Sequence, residues 1–256
     1  MPNCYLVRRS KGENLYLSPY VDSRETDKWR EDEELKWLAS TGLTTQEKDG
    51  TLYLLYSEID KGVDRWILDK RYIPRLLISA VVFLIVYFFF ALAVRDPIPV
   101  IDELLLGLAA AIGVATYLTK RDKKGDLAMK KRMVLKQNAM RSQFLIDEKV
   151  SVVEKYLDKL SNLEVLDLAD RLALVTDQKL PPLNIDDNQW KTEFSRLLLA
   201  NVKINNKNLY SRYEVVMKNL AKGKSDEALS ARLAKLAYNR VIDLPLISLM
   251  VVFTKH

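Results

Sequence analysis

The chain has 256 residues, 48% hydrophobic and 29% charged, with a formal net charge of +6. That average resembles a soluble protein, but local windows decide membrane insertion, and one very apolar stretch lies between highly charged flanks. A single cysteine, Cys4, excludes an intramolecular disulfide, and a single histidine, His256, leaves little for a metal centre or for histidine-based acid/base chemistry.

Residues 1–70 read as a small α/β module. Cys4–Val7, Asn14–Leu17 and Leu52–Tyr56 are apolar-aromatic runs expected to be strands, separated by turn residues such as Lys11-Gly12 and Asp49-Gly50. Between them, Asp27 to Ala39 carries Trp29, Leu35, Trp37 and Leu38 among charges. That pattern predicts a short amphipathic helix and leaves room for a strand near Leu35–Leu38.

Residues 73–120 carry the strongest signal. Leu76 to Val94 contains nineteen residues without a charge, about 28 Å of helix, close to the thickness of a bilayer's hydrocarbon core. The second apolar segment, residues 100–119, starts acidic at Asp102 and Glu103 and continues as Leu104 to Thr119. Between the two lies Arg95-Asp96-Pro97-Ile98-Pro99, where prolines end one helix and permit the next. The expectation is a transmembrane helical hairpin.

Basic residues set its direction. Lys61, Arg65, Lys70, Arg71 and Arg75 precede the first span, and Lys120, Arg121, Lys123, Lys124, Lys130, Lys131 and Arg132 follow the second, with Lys136 and Arg141 beyond. The connecting loop has Arg95 alone. By the positive-inside rule both termini face the cytoplasm, and a bacterial inner membrane is the expected location. Topology alone accounts for the cluster after the second span, and holding anionic lipid headgroups is the additional role its basic residues could take. Its placement beside apolar segments argues against nucleic acid as a partner.

Residues 121–256 read as a mainly α-helical module. The second span is expected to run on into a cytoplasmic helix with Gly125 as a break. Ser161-Asn162-Leu163-Glu164 fits a capping box ahead of Leu166, Leu168, Leu172 and Val175. Asp186 or Asp187 is expected to cap a helix through Trp190, Phe194, Leu197 and Leu198, and Pro181-Pro182 to end the one before it. Further helices are expected at Leu209–Ala221 and Ser225–Arg240, separated by Gly223. The tail Leu246–Phe253 is apolar but too short to span a bilayer, so it reads as a buried strand or docking segment.

Two patterns in the second span bear on function. Asp102 and Glu103 at its start either cap the helix and complement its dipole or, in an oligomer, form a carboxylate ring that concentrates cations. Gly107, Ala111 and Ala115 recur at intervals of four, with Gly113 nearby, leaving one face bare for close helix packing within the hairpin or between copies. Two spans, a short acidic loop and long cytoplasmic helices superficially resemble the mitochondrial calcium uniporter pore subunits over about fifty residues. Their Trp-Asp followed by Glu-Pro is replaced here by Val100-Ile101-Asp102-Glu103-Leu104, and no function is carried over.

No phosphate-binding loop, nucleophile elbow, zinc-protease motif or paired Cys motif is present, so no enzyme, cofactor or metal site is expected. The reading is a membrane assembly or scaffold protein, homo-oligomeric or part of a larger membrane complex, presenting its soluble modules to a cytoplasmic protein. A cation channel with Asp102 and Glu103 at its mouth is the alternative.

Overall fold

A computed structural model describes residues 2–9, 14–26, 28–29, 34–93, 101–174 and 180–254. Within them the chain is mostly helical, with one small sheet and two long apolar helices. The expected Lys11-Gly12 turn, the prolines of the hairpin loop, Val175 and His256 lie outside the described residues.

The sheet contains β1 (Asn3–Val7), β2 (Leu15–Leu17), β3 (Lys36–Ala39) and β4 (Gln143–Ile146), in the order β2-β1-β3-β4. β2 runs antiparallel to β1, whereas β3 and β4 are parallel to it and to each other. Side chains alternate across a strand, and the sequence uses both faces. Cys4, Leu6, Tyr16 and Trp37 enter one core, and Tyr5, Val7 and Leu17 enter the other. The sheet is therefore the middle layer of three.

The first outer layer is built mainly from α2 (Thr45–Lys70) and α5 (Asp126–Met140), with a 3₁₀ turn at Pro19–Val21 and the short helix α1 (Ser23–Thr26) beside them. Leu52–Tyr56 lies inside α2 and is not a strand. Thr44 and Glu47 form a reciprocal capping box at the start of this helix. Thr51, Leu55, Glu58, Ile59, Gly62, Val63, Trp66 and Ile67 then recur at helical spacing on its buried side. The aromatic run misleads because Tyr53 and Leu54 point to the surface.

Of the two readings left open for Asp27 to Ala39, the strand near Leu35–Leu38 is the one the described residues show, as β3, while residues 27 and 30–33 lie outside them. Leu35, Trp37 and Ala39 alternate into the core, a period of two that only a strand satisfies. Phe144 of β4 stacks on Trp37. β4 was not expected at all.

The second outer layer is helical: α6 (Glu148–Ser161), α7 (Val165–Ala173), α8 (Asn188–Asn205), α9 (Lys207–Lys222), α10 (Glu227–Tyr238) and α11 (Leu244–Thr254). Asp187 caps α8 by accepting from the Trp190 N–H, and Gly223 ends α9 with a left-handed φ of 60°. The expected capping box at Ser161 is absent. Ser161 closes α6, donating its hydroxyl to the Leu157 carbonyl, and Glu164 caps α7 with no side-chain bond.

The apolar tail is a helix and not a strand. α11 buries Leu246, Ile247, Leu249, Met250, Val251 and Phe253 against α6, α8 and α9. Helices that are apolar on every side belong at the centre of a core.

Candidate functional site

Two further helices, α3 (Tyr72–Ala93) and α4 (Ile101–Lys124), leave the three-layer body. With 22 and 24 residues they are about 33 Å and 36 Å long. They run antiparallel: Arg75 donates to Thr119 Oγ1 at 2.9 Å near one end, and Phe83 packs against Gly107 farther along. α3 follows α2 after Arg71 alone, and α5 follows α4 after Gly125, so two nearly unbroken rods connect the hairpin to the body.

The rods enter the sheet side by side. β3 leads into α2 and α5 leads into β4, and these two strands are parallel neighbours. The crossover that joins them is thus the entire hairpin with its stems. A βαβ crossover ordinarily folds back over its own sheet; this one first travels outward by the length of α3 and α4.

α3 is long and apolar enough to cross a membrane by length and composition. Within Tyr72–Leu92 an 18-residue window has a mean hydropathy of 2.5, and only 6% of that window is buried. Leu77, Ile85, Phe89 and Leu92 are 61%, 63%, 63% and 79% exposed. α4 meets the same test at its apolar end.

The interface between the two helices uses the small residues of α4. Gly107 is buried so closely that an added Cβ would stand 3.1 Å from the Phe83 ring. Ala111 and Ala115, one and two turns on, are half-buried. At Gly107 the bare face is filled inside the hairpin by Phe83. Gly113 lies on the outer surface with open space around it.

The two acidic residues part company. Glu103 is buried, one turn before Gly107 on the same side of α4, whereas Asp102 is exposed. Consecutive helix positions diverge by about 100°, and here that rotation separates the carboxylates.

The basic cluster divides likewise. Lys123 meets Asp64 at 2.9 Å, Arg132 pairs with both Asp64 and Asp60, and Lys136 meets Asp60 at 2.9 Å, so these residues fasten the α4–α5 rod to α2. Lys131 and Lys70 lie 5.6 Å and 4.9 Å from the centre of the Trp66 ring. Lys120, Arg121, Lys124 and Lys130 are exposed, as are Lys70 and Arg71 across from them on the other rod. This leaves a collar of exposed positive charge where the apolar helices meet the body.

The Asp60 and Asp64 pairs were missed in the sequence. Their signal was an i, i+4 acidic pair on α2 that matches Arg132 and Lys136 on α5. Among the described residues no group of three or more His, Cys, Asp or Glu is placed to hold a metal ion. Comparison with family models, curated proteins and solved structures finds no match to this chain.

Proposed function

We propose that α3 and α4 cross a lipid bilayer as a hairpin and that the protein is a membrane-anchored assembly or scaffold protein. The carrying observation is the uncovered apolar surface of α3. Eleven large hydrophobic side chains, from Tyr72 to Leu92, are 46–79% exposed. Moving one such side chain fully out of water contributes about 1.5–3 kcal/mol. Roughly half-exposed, eleven of them sum to on the order of 10 kcal/mol, comparable to the whole folding stability of a domain. A free chain in water would forfeit that amount, and lipid restores it.

The collar supports the orientation. Exposed Lys70, Arg71, Lys120, Arg121, Lys124 and Lys130 sit at the body's end of the hairpin, which by the positive-inside rule supports a cytoplasmic three-layer body. The three-layer body is read as the part presented to partners. The hairpin, inserted between β3 and β4, holds it at a fixed distance and angle from the bilayer.

Sedimentation and extraction test both halves of this reading. The full chain is expected to stay with membranes after alkaline carbonate washing and to enter solution only with detergent. After gentle extraction it is expected to run as an oligomer or a larger complex. Recovery in the aqueous fraction refutes the anchor, and a lone monomer without partners refutes the scaffold.

A further inference from the structure

We propose that the outer edge of β4 takes up an extended segment of a partner protein as a fifth strand of the sheet. The proposal rests on the scaffold reading and names the surface through which the body meets its partner. β4 ends the order β2-β1-β3-β4, so one side of it has no neighbouring strand among the described residues. The Gln143 N–H donates to the Leu35 carbonyl at 3.0 Å, and the Asp147 N–H donates to the Ala39 carbonyl at 2.9 Å. Alternate residues of a strand turn their backbone groups to opposite sides, so Gln143, Leu145 and Asp147 face β3 while Phe144 and Ile146 present N–H and C=O outward. Among the described residues no hydrogen-bond partner meets those outward groups.

The side chains leave this edge unguarded. Natural edges are blunted by Lys, Pro or a bulge, whereas Gln143-Phe144-Leu145-Ile146 has neither a charge nor a proline. Leu145 and Ile146 are 42% and 67% exposed, and Met140 at the end of α5 is 70% exposed. Beside Ile146 lies a groove of about 180 Å³ walled by Thr41, Gly42, Leu43, Lys48 and Phe144. The Lys48 ammonium stands 5.2 Å from the centre of the Phe144 ring, and no carboxylate pairs with it among the described residues. In strand addition the backbone groups supply affinity and the adjoining pockets choose side chains. This edge therefore suits a strand with an apolar side chain for the groove beside Ile146 and, two residues away on the same face, a carboxylate for Lys48.

A second copy of the chain does not fit the same edge. β2 runs back along β1, so Tyr20, just past Leu17, lies where β1 begins, and Gly62 of α2 closes on the Tyr20 carbonyl. The hairpin that follows α2 thus leaves from the end where β1, β3 and β4 begin, and on the bilayer reading these strands point away from the membrane. A two-fold dimer extending the sheet through β4 would pair the copies antiparallel and aim the second hairpin away from the bilayer. A segment of another protein has no hairpin to place.

The probe is a random octapeptide library displayed on phage and selected against the full chain in detergent, the recovered peptides then being synthesised. Their binding is expected to weaken at least tenfold when the alternate backbone nitrogens that face β4 are methylated, and to ignore methylation of the nitrogens between them. Binding should also protect the Phe144 and Ile146 amides, open in the free chain, from hydrogen exchange. Ile146→Pro removes one outward N–H without touching the β3 ladder. It is expected to weaken binding at least tenfold with the helical circular dichroism unchanged, and Lys48→Glu should weaken only peptides that carry a carboxylate. Should Ile146→Pro unfold the chain, the methylation pattern and the exchange protection still decide. Recovery of no peptide, or binding indifferent to backbone methylation, overturns the proposal. Self-association abolished by Ile146→Pro assigns the edge to a second copy and overturns it likewise. An extracted complex that binds no peptide at β4 refutes this surface alone, whereas a lone monomer that does bind refutes the scaffold reading.

Discussion

Two glycines of α2 make the packing of the soluble body testable with one substitution at two positions. Gly50 has open space where a Cβ would stand, so Gly50→Ala is expected to show only the intrinsic gain of alanine in a helix, about 0.8–1 kcal/mol. At Gly62 the same Cβ would lie 1.8 Å from the Tyr20 carbonyl oxygen and 2.8 Å from its carbon, both backbone atoms. An ordinary contact needs about 3.4 Å, so α2 must retreat from the Pro19–Val21 turn by roughly 1.5 Å.

That retreat strains the bond from Arg65 Nη1 to the Val21 carbonyl, now 2.8 Å, and the packing of Tyr20, which is 1% exposed. Overpacking of this kind costs about 1–3 kcal/mol, with this site at the upper end because neither collision partner is a flexible side chain. Subtracting the helix gain leaves a net loss of about 2 kcal/mol. Thermal unfolding of the full chain in detergent should therefore show Tm raised by about 2–4 °C for Gly50→Ala and lowered by about 4–8 °C for Gly62→Ala. If both variants are stabilised alike, α2 does not press on the 3₁₀ turn and the first outer layer has been misassigned.

The cap of α6 gives a second prediction. Asp147 accepts from the Lys149 N–H at 2.9 Å and from Trp190 Nε1 at 2.8 Å. Asp147→Ala is expected to cost about 2–3 kcal/mol in urea unfolding, because a cap is lost and a buried indole N–H is left unpaired; a cost indistinguishable from zero contradicts the tie between β4 and α8. Acid sensitivity gives a third. The Thr44 backbone N–H and hydroxyl hold the Glu47 carboxyl below its usual range, and the Lys149 ammonium with the Trp190 N–H does the same for Asp187. Groups depressed by folding contribute stability above the unfolded carboxylate range near pH 4, and that contribution fades as pH falls through their folded values. Tm measured from pH 7 to pH 3 should fall less steeply in Glu47→Gln than in the parent; identical slopes refute the assignment.

The long periodic elements were legible in the residues. The two apolar helices, the break at Gly125, the cap at Asp187 and the stop at Gly223 all follow from local chemistry that acts within a turn of the chain. What the sequence concealed is what depends on distant partners. Gln143–Ile146 is too short to announce a strand, and its register comes from β3, more than a hundred residues earlier. Leu52–Tyr56 carries strand-like composition but sits in a helix whose period is set by residues on both sides of it.

At the hairpin, the small residues of α4 were visible, and their partner Phe83 needed the antiparallel pairing to be known. The positive charges after the second span were visible too. Their division between the exposed collar and the Asp60–Asp64 face of α2 depends on which side of α5 meets the other rod, a packing outcome and not a compositional one.

The bilayer itself can be sensed by thiol accessibility. Cys4 is fully buried and burial pushes its thiol up, so the parent chain supplies an inert background. Single cysteines placed at Ile85 and Ile112, 63% and 58% exposed, and at exposed Lys124 would be challenged in native membranes with a membrane-impermeant maleimide. Ile85→Cys and Ile112→Cys are expected to stay unlabelled until detergent is added, while Lys124→Cys reacts from the start once the membrane is opened to its cytoplasmic side. Equal labelling at all three positions would mean that water, and not lipid, surrounds α3 and α4.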